Sequence, residues 1–368
     1  MRYLDAFRDA DLARKLADDL AGQASRLPRP VVLMEVCGTH TMTIARYGVK
    51  SLIPANVRLV SGPGCPVCVT PAGYVDAALT LARMATVTIA TFGDMIRVPG
   101  GSSTLAKERG AGKDVRVVYS PLDAVEWAKN NPDRQVVFLG VGFETTAPSV
   151  AAAILTARRE GVGNFSVLAS HKVMPEPMAA LTAGELKIDG YICPAHVSAI
   201  IGVDGYRPLA ETYGVPCVVT GFEPLDVLRG VTMLVAQVAD GRAEVENEYD
   251  RVVLADGNPK ARAMLAEVFE PCDAVWRGIG TIPNSGLRIR AAFADFNASI
   301  RHGVPISEGD NEHPACRCGA ILKGLAEPTD CKLFATACTP DNPIGACMVS
   351  SEGSCAAEYR YGAHVPHA

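Results

Sequence analysis

Apolar residues recur at helical spacing at the start of the chain. Leu4, Phe7, Leu12, Leu16 and Leu20 stand among charged neighbours and predict an amphipathic helix over residues 4–23. From Pro30 the pattern changes. Short apolar runs at 31–36, 57–60, 86–91, 115–119, 135–140, 165–169, 190–193 and 216–221 alternate with helical stretches. Most are rich in Val and Ile and bounded by Gly, Pro or Ser, as strands buried on both faces should be. Thr70-Pro71 and Ser120-Pro121 each offer a capping hydroxyl and a first-turn proline for a following helix. Such alternation predicts an α/β fold with parallel sheets.

Eight strands can form one sheet or two smaller units. Gly142-Phe143-Glu144 and Gly221-Phe222-Glu223 each follow a strand and open a helical segment, an internal echo that favours two. The expected division is an N-terminal helix (1–24), two parallel-sheet α/β domains (25–132 and 133–255) with a cleft between them, and a C-terminal cysteine-rich domain (256–368). After about residue 255 the strand rhythm fades and turn residues accumulate.

Composition narrows the function. The chain has 368 residues, 48% of them hydrophobic and 20% charged, with a net charge of −5. No basic run is present to neutralise phosphates, so nucleic acid is not expected as a partner. No apolar stretch reaches the ~18–20 residues that cross a bilayer. The first twenty residues carry charges every few positions and lack a signal-peptide apolar region. The expectation is a cytoplasmic protein without a membrane partner.

That compartment is reducing, so twelve cysteines point to metal or redox chemistry before structural disulfides. Half of them, Cys316, Cys318, Cys331, Cys338, Cys347 and Cys355, crowd into the tail with the spacing C-x-C-x12-C-x6-C-x8-C-x7-C. Zinc would prefer two C-x2-C pairs, and the C-x2-C-x2-C ferredoxin run is absent. Six thiols allow four on a cubane cluster with two left over for a redox pair, and spacing alone does not choose the four. A structural zinc site with spare thiols is the plainer alternative.

Cys65-Pro66-Val67-Cys68 is either a dithiol redox centre or half of a zinc site, and no second C-x-x-C completes a zinc site. Its place between a strand and a helix N-terminus is expected to lower a thiol pKa. Cys37 and His40, three apart beside a turn glycine, could share a helix face and ligate one metal ion, or be a buried cysteine and a capping histidine. Glu144, Thr145 and Thr146 either cap a helix or line a cleft, and His171 and His196 are strand-end histidines open to acid–base or ligand roles. These motifs follow strands, and in open parallel sheets sites form beyond the carboxyl ends of strands. They are therefore expected to converge on one face.

At these residues the chain resembles the hydrogenase maturation factor HypD family. The matching pieces are Glu35-Val36-Cys37-Gly38-Thr39-His40-Thr41, Gly62-Pro63-Gly64-Cys65-Pro66-Val67-Cys68, Phe92-Gly93-Asp94 with Arg97-Val98-Pro99-Gly100, Gly142-Phe143-Glu144-Thr145-Thr146, Pro194-Ala195-His196-Val197-Ser198, Gly221-Phe222-Glu223-Pro224, and the tail from Cys316-Arg317-Cys318-Gly319 to Glu352-Gly353-Ser354-Cys355. Pro175-Glu176-Pro177, where adjacent prolines would be expected, is a local departure. The resemblance implies a scaffold on which the Fe(CN)2CO unit of [NiFe] hydrogenases is built, with iron held between the protein and a HypC-type chaperone and cyanide delivered by a HypE-type donor. By the same resemblance Cys37 would bind the iron with His40 beside it, and Cys65 and Cys68 would be the redox pair. Cys316, Cys331, Cys338 and Cys355 would hold a [4Fe–4S] cluster, with Cys318 and Cys347 as a further redox pair. Glu144, Thr145, Thr146 and His196 would line the cleft.

A thiol–disulfide oxidoreductase acting on a protein shares the cluster and the C-x-x-C pair but gives Cys37 and His40 no role. A zinc-stapled α/β binding protein would be colourless when purified without oxygen.

Overall fold

The computed structural model describes residues 5–307 and 313–362. Among them are eleven strands: β1 (Val31–Glu35), β2 (Val57–Ser61), β3 (Val87–Thr91), β4 (Val115–Val117), β5 (Gln135–Gly142), β6 (Phe165–Lys172), β7 (Gly190–Pro194), β8 (Cys217–Thr220), β9 (Val245–Asn247), β10 (Phe269–Trp276) and β11 (Gly280–Ile289). They form two sheets. One is wholly parallel, in the order β2-β1-β7-β8-β9. The other, in the order β10-β11-β6-β5-β3-β4, is parallel except where the β10–β11 hairpin joins it. The protein is α/β with two mainly parallel sheets, as the alternating pattern predicts.

The strands do not divide between sheets at residue 132. β3 and β4 lie before that point yet pair in one sheet with β5 and β6, while β1 pairs with β7. The chain passes from the first sheet to the second after β2, returns after β6 and crosses again after β9. Sequential order alone cannot show such a crossing, because each β-helix-β step looks the same locally.

Three strands escape the periodicity. β9 is three residues long, and β10 and β11 fall where the strand rhythm fades. Pro271, Pro283, Asn284 and Gly286 make the hairpin read as turns. It accommodates them with a register shift between Cys272 and Ala274 and a positive φ of 53° at Asn284.

The first helix, α1 (Ala10–Ala24), is capped by the Asp9 carboxylate, which accepts from the Asp11 and Leu12 amides. Its buried Leu20 and Ala24 pack with the helix Pro224–Ala239, and Arg8 bonds Glu223 at 2.6 Å beside them. A leucine fully buried in this way contributes ~1.5–3 kcal/mol. Ser120 caps its helix as expected, and Asp123 completes a capping box with it. Thr70 does not cap; its hydroxyl donates to the Pro66 carbonyl, and Pro71 becomes the cap of α3 (Ala72–Arg83). α3 joins the two sheets: it leaves the end of β2, and its buried Tyr74 donates to the Leu168 carbonyl of β6 at 2.8 Å.

Candidate functional site

β1 ends at Glu35, and α2 (Gly38–Arg46) begins with Cys37 as its cap. The two residues are locked together. The Cys37 amide donates to Glu35 Oε2 at 3.0 Å, and Thr41, one turn into α2, donates to Glu35 Oε1 at 2.6 Å. Glu35 is 1% exposed. Burial lifts its pKa to about 7 against the pull of Thr41, the Cys37 amide and Ser61. Glu35 is thus the brace that fixes the cysteine's backbone.

Three segments distant in sequence close round the start of α2, which carries Cys37 and His40. The turn after β2 passes so close that a Cβ on Gly64 would run into the backbone of Val36 and Cys37, and the Gly38 amide donates to the Gly64 carbonyl at 3.0 Å. Only a glycine permits that approach, and it places Cys65 next to Cys37. From the tail, Thr39 donates to Glu352 at 2.8 Å, and a Cβ on Gly38 would collide with Glu352. From β8, the Thr220 and Gly221 carbonyls both accept from His40 Nε2, at 3.1 and 2.9 Å.

Two carbonyl acceptors fix the proton on Nε2, so His40 Nδ1 carries the lone pair; it is buried and has no partner. Burial lowers the His40 pKa to about 4, so the ring is neutral. His40 lies 4.9 Å from the Phe222 ring, and His196 lies 4.0 Å from the same ring. Burial, then the charge of Glu352, pushes the Cys37 thiol up to about 12, against the helix amides of His40 and Thr39. Cys37 is therefore a protonated thiol at neutral pH.

Cys65 and Cys68 are both buried, on a turn that ends before α3 begins at Ala72. The expected lowering of a thiol pKa does not hold for Cys68. Burial first, and then the Cys65 sulfur beside it, raise it well above the ordinary value. α3 starts four residues beyond, too far for its amino end to offset desolvation. The Cys68 sulfur instead faces the tail, 3.9 Å from the Ala346 carbonyl oxygen.

All six tail cysteines line one apolar cavity with Ile321, Leu333, Phe334 and Met348. Cys318 and Cys347 are joined by a disulfide. Cys355 has a raised pKa, through burial first and then through Cys316, Cys338 and Cys331, so these four sulfurs lie within electrostatic reach of one another. The Ile344 amide points at the Cys338 sulfur at 3.3 Å, and Gly345 lets the backbone pass against the Cys316 sulfur. Ala335 takes a left-handed φ of 55° in the loop that carries Cys331 and Cys338. Among the described residues no three His, Cys, Asp or Glu converge tightly enough for a single metal ion. Four thiols round an apolar cavity, one with an amide aimed at its sulfur, are a donor set that would suit an iron–sulfur cluster.

The tail is fastened to the same end of the molecule. Ser350 donates to Asp94 at 2.7 Å and Arg97 donates to the Val349 carbonyl at 3.1 Å, both from the turn after β3. Glu144, Thr145 and Thr146 stand apart from Cys37. Glu144 accepts from the Met174 amide, Thr145 is exposed, and Thr146 precedes the helix Ala147–Arg159. Glu352 and Thr41 were missed in the sequence. Glu352 is 315 positions from Cys37, and only its place in the Glu352-Gly353-Ser354-Cys355 motif marks it. No helix among the described residues is long and apolar enough to cross a membrane.

Comparison with known proteins fits this arrangement. The family model HypD, described as "Hydrogenase formation hypA family", matches residues 11–362. "Hydrogenase maturation factor HypD" of Azotobacter vinelandii is 52% identical, over 98% of this chain and 97% of that protein. The protein of the same name from Rhizobium leguminosarum bv. viciae is 48% identical over 98% and 96%. The one from Escherichia coli K12 is 42% identical over 98% of each. The chain belongs to the HypD family of hydrogenase maturation factors.

Proposed function

We propose that this protein is the scaffold on which the Fe(CN)2CO unit of [NiFe] hydrogenases is assembled, in the cytoplasm, with a HypC-type chaperone and cyanide from a HypE-type donor. The observation that carries the reading is the seating of Cys37 between the Cys65 turn and Glu352, with Cys68 backed against the residue before Cys347. Iron is the cargo. Cys37 supplies its thiolate, losing a proton that burial otherwise holds, and the unpartnered Nδ1 of His40 is the neighbouring donor. Releasing cyanide from a thiocyanate-type donor takes two electrons and leaves a thiol. Cys65 and Cys68 provide two electrons by closing to a disulfide, each giving up its proton.

Cys316, Cys331, Cys338 and Cys355 are the residues proposed to hold a [4Fe–4S] cluster, which when bound supplies electrons to the thiols. The Cys318–Cys347 disulfide lines the same cavity, and Cys68 lies against the residue before Cys347, so this pair, once reduced, would be the one that renews the Cys65–Cys68 dithiol. Glu144, Thr145, Thr146 and His196 are proposed to border the cleft; of these, His196 is the one beside the Cys37 site, through Phe222.

Infrared spectroscopy of the anaerobically purified protein with its chaperone tests the reading. Bands of metal-bound cyanide and carbonyl are expected, and Cys37→Ser should lose them while keeping iron–sulfur absorbance. Absence of the bands from a fully iron-loaded complex refutes the scaffold, and a Cys37→Ser protein that still matures hydrogenase favours a plain thiol–disulfide oxidoreductase.

A further inference from the structure

Ser170-His171-Lys172, at the end of β6, takes no part in the chemistry above. Lys172 is 3% exposed, and its electrostatic neighbour among the described residues is the Cys272 thiol rather than a carboxylate. Register explains the opening beside it. Lys172 pairs with Gly286, and Gly286 with Cys272, so the side chains of Lys172 and Cys272 rise on one face with bare backbone between them. A Cβ on Gly286 would come within 2.7 Å of the Ala274 Cβ and 3.3 Å of the Cys272 sulfur.

The glycine thus leaves part of a cavity of about 300 Å3, lined by Lys172, Cys272, Ala274, Pro71 and Ser307 among others. Pro71 caps α3, a helix of twelve residues with no side-chain cap, so the positive end of its dipole opens here. His171 also borders the cavity; it is buried and neither ring nitrogen has a partner. Asp273 and Arg288 on the rim are engaged, by the Asn284 amide and by Glu270.

We propose that this cavity binds a small organic anion, its phosphate or carboxylate group lying between the Lys172 ammonium and the amino end of α3. Burial lowers the lysine's pKa to about 8, so at neutral pH it is a buried cation with no carboxylate paired to it among the described residues. Such a charge is costly unless paired, and an incoming anion removes the cost. The volume is at the lower end for ligand pockets and suits a small metabolite.

The full chain, titrated with inorganic phosphate and separately with acetate, tests this. Trp276 reports binding, because its ring centroid lies 5.6 Å from Lys172 Nζ. A saturable change in its fluorescence and a rise in thermal midpoint are expected, and Lys172→Met should weaken binding by about tenfold or more. Response to phosphate alone marks a phosphorylated ligand, and response to acetate as well marks a carboxylate. Wild-type protein that binds neither anion at millimolar concentration overturns the proposal, as does Lys172→Met that binds normally. Should that variant not fold, Gly286→Ala decides: it narrows the cavity while keeping the lysine, and undiminished binding sinks the idea.

Discussion

The Cys68 sulfur lies 3.9 Å from the carbonyl oxygen of Ala346, the residue before Cys347. A dithiol 278 residues away in sequence therefore abuts the backbone of a disulfide in the cysteine ring. Replacing Cys65 and Cys68 together with Ser should abolish hydrogenase maturation while iron–sulfur absorbance and the thermal midpoint stay near wild type, since serine is close to isosteric. Complementation of a maturation-deficient strain reads the first and a spectrum of the purified variant the second. Normal maturation by the double variant rules out the electron route.

Gly64 and Gly22 should respond oppositely to alanine. At Gly64 the new methyl meets the Val36 and Cys37 backbone, which cannot yield like a side-chain tip. A loss of several kcal/mol and of maturation is expected. At Gly22, in α1, nothing lies within 4 Å of the methyl, so helix propensity governs and a gain of about 0.5–1 kcal/mol is expected. Urea unfolding of both variants provides the comparison.

Glu352→Gln keeps an acceptor for Thr39, whereas Glu352→Ala removes it. The alanine variant should lose about 1–3 kcal/mol and release iron from the Cys37 site faster than the glutamine variant. Iron content after gel filtration, measured for both, separates a hydrogen-bonding role from a mere charge; equal retention by the two variants would count against the hydrogen bond.

Stability should depend on pH with opposing contributions. Burial lowers His40 and His171 to about 4 and about 3. The unfolded chain then binds more protons than the folded one below about pH 6.5, and stability falls on acidification. Burial raises Glu144 to about 7. Its folded form holds a proton that the unfolded form has lost above about 4.5, so its contribution falls as pH rises from about 4.5 to 7. Glu144→Gln removes only this last contribution and keeps an acceptor for the Met174 amide. Between pH 5 and 6.5 the variant's unfolding free energy should climb more steeply than wild type's, by up to about 1.4 kcal/mol per pH unit. Parallel curves would show that Glu144 is ionised in the folded protein.

Much of this was legible because burial writes itself locally. The eight Val- and Ile-rich runs are the eight expected strands, and Ser120 caps its helix as read. The hairpin was illegible because Pro271, Pro283 and Gly286 are turn signals that an edge ribbon tolerates. The proximity of Cys37 to Cys65 was suggested by two motifs at strand ends, and the pairing of β1 with β2 realises it. The Cys68 pKa was misjudged because distance to a helix end and depth of burial are tertiary facts. Glu352 was hidden for the same reason.

The threefold crossing of the chain between its sheets also sets a timetable. β1 finds β7 only after the 154 residues between Glu35 and Gly190 have been made, and the start of α2 gains its last wall when Glu352 arrives. A ribosome-bound chain has the cysteine but not the chamber. The walled Cys37 site is thereby reserved for a finished molecule, and a truncated one would expose Cys37 without the contact of Glu352.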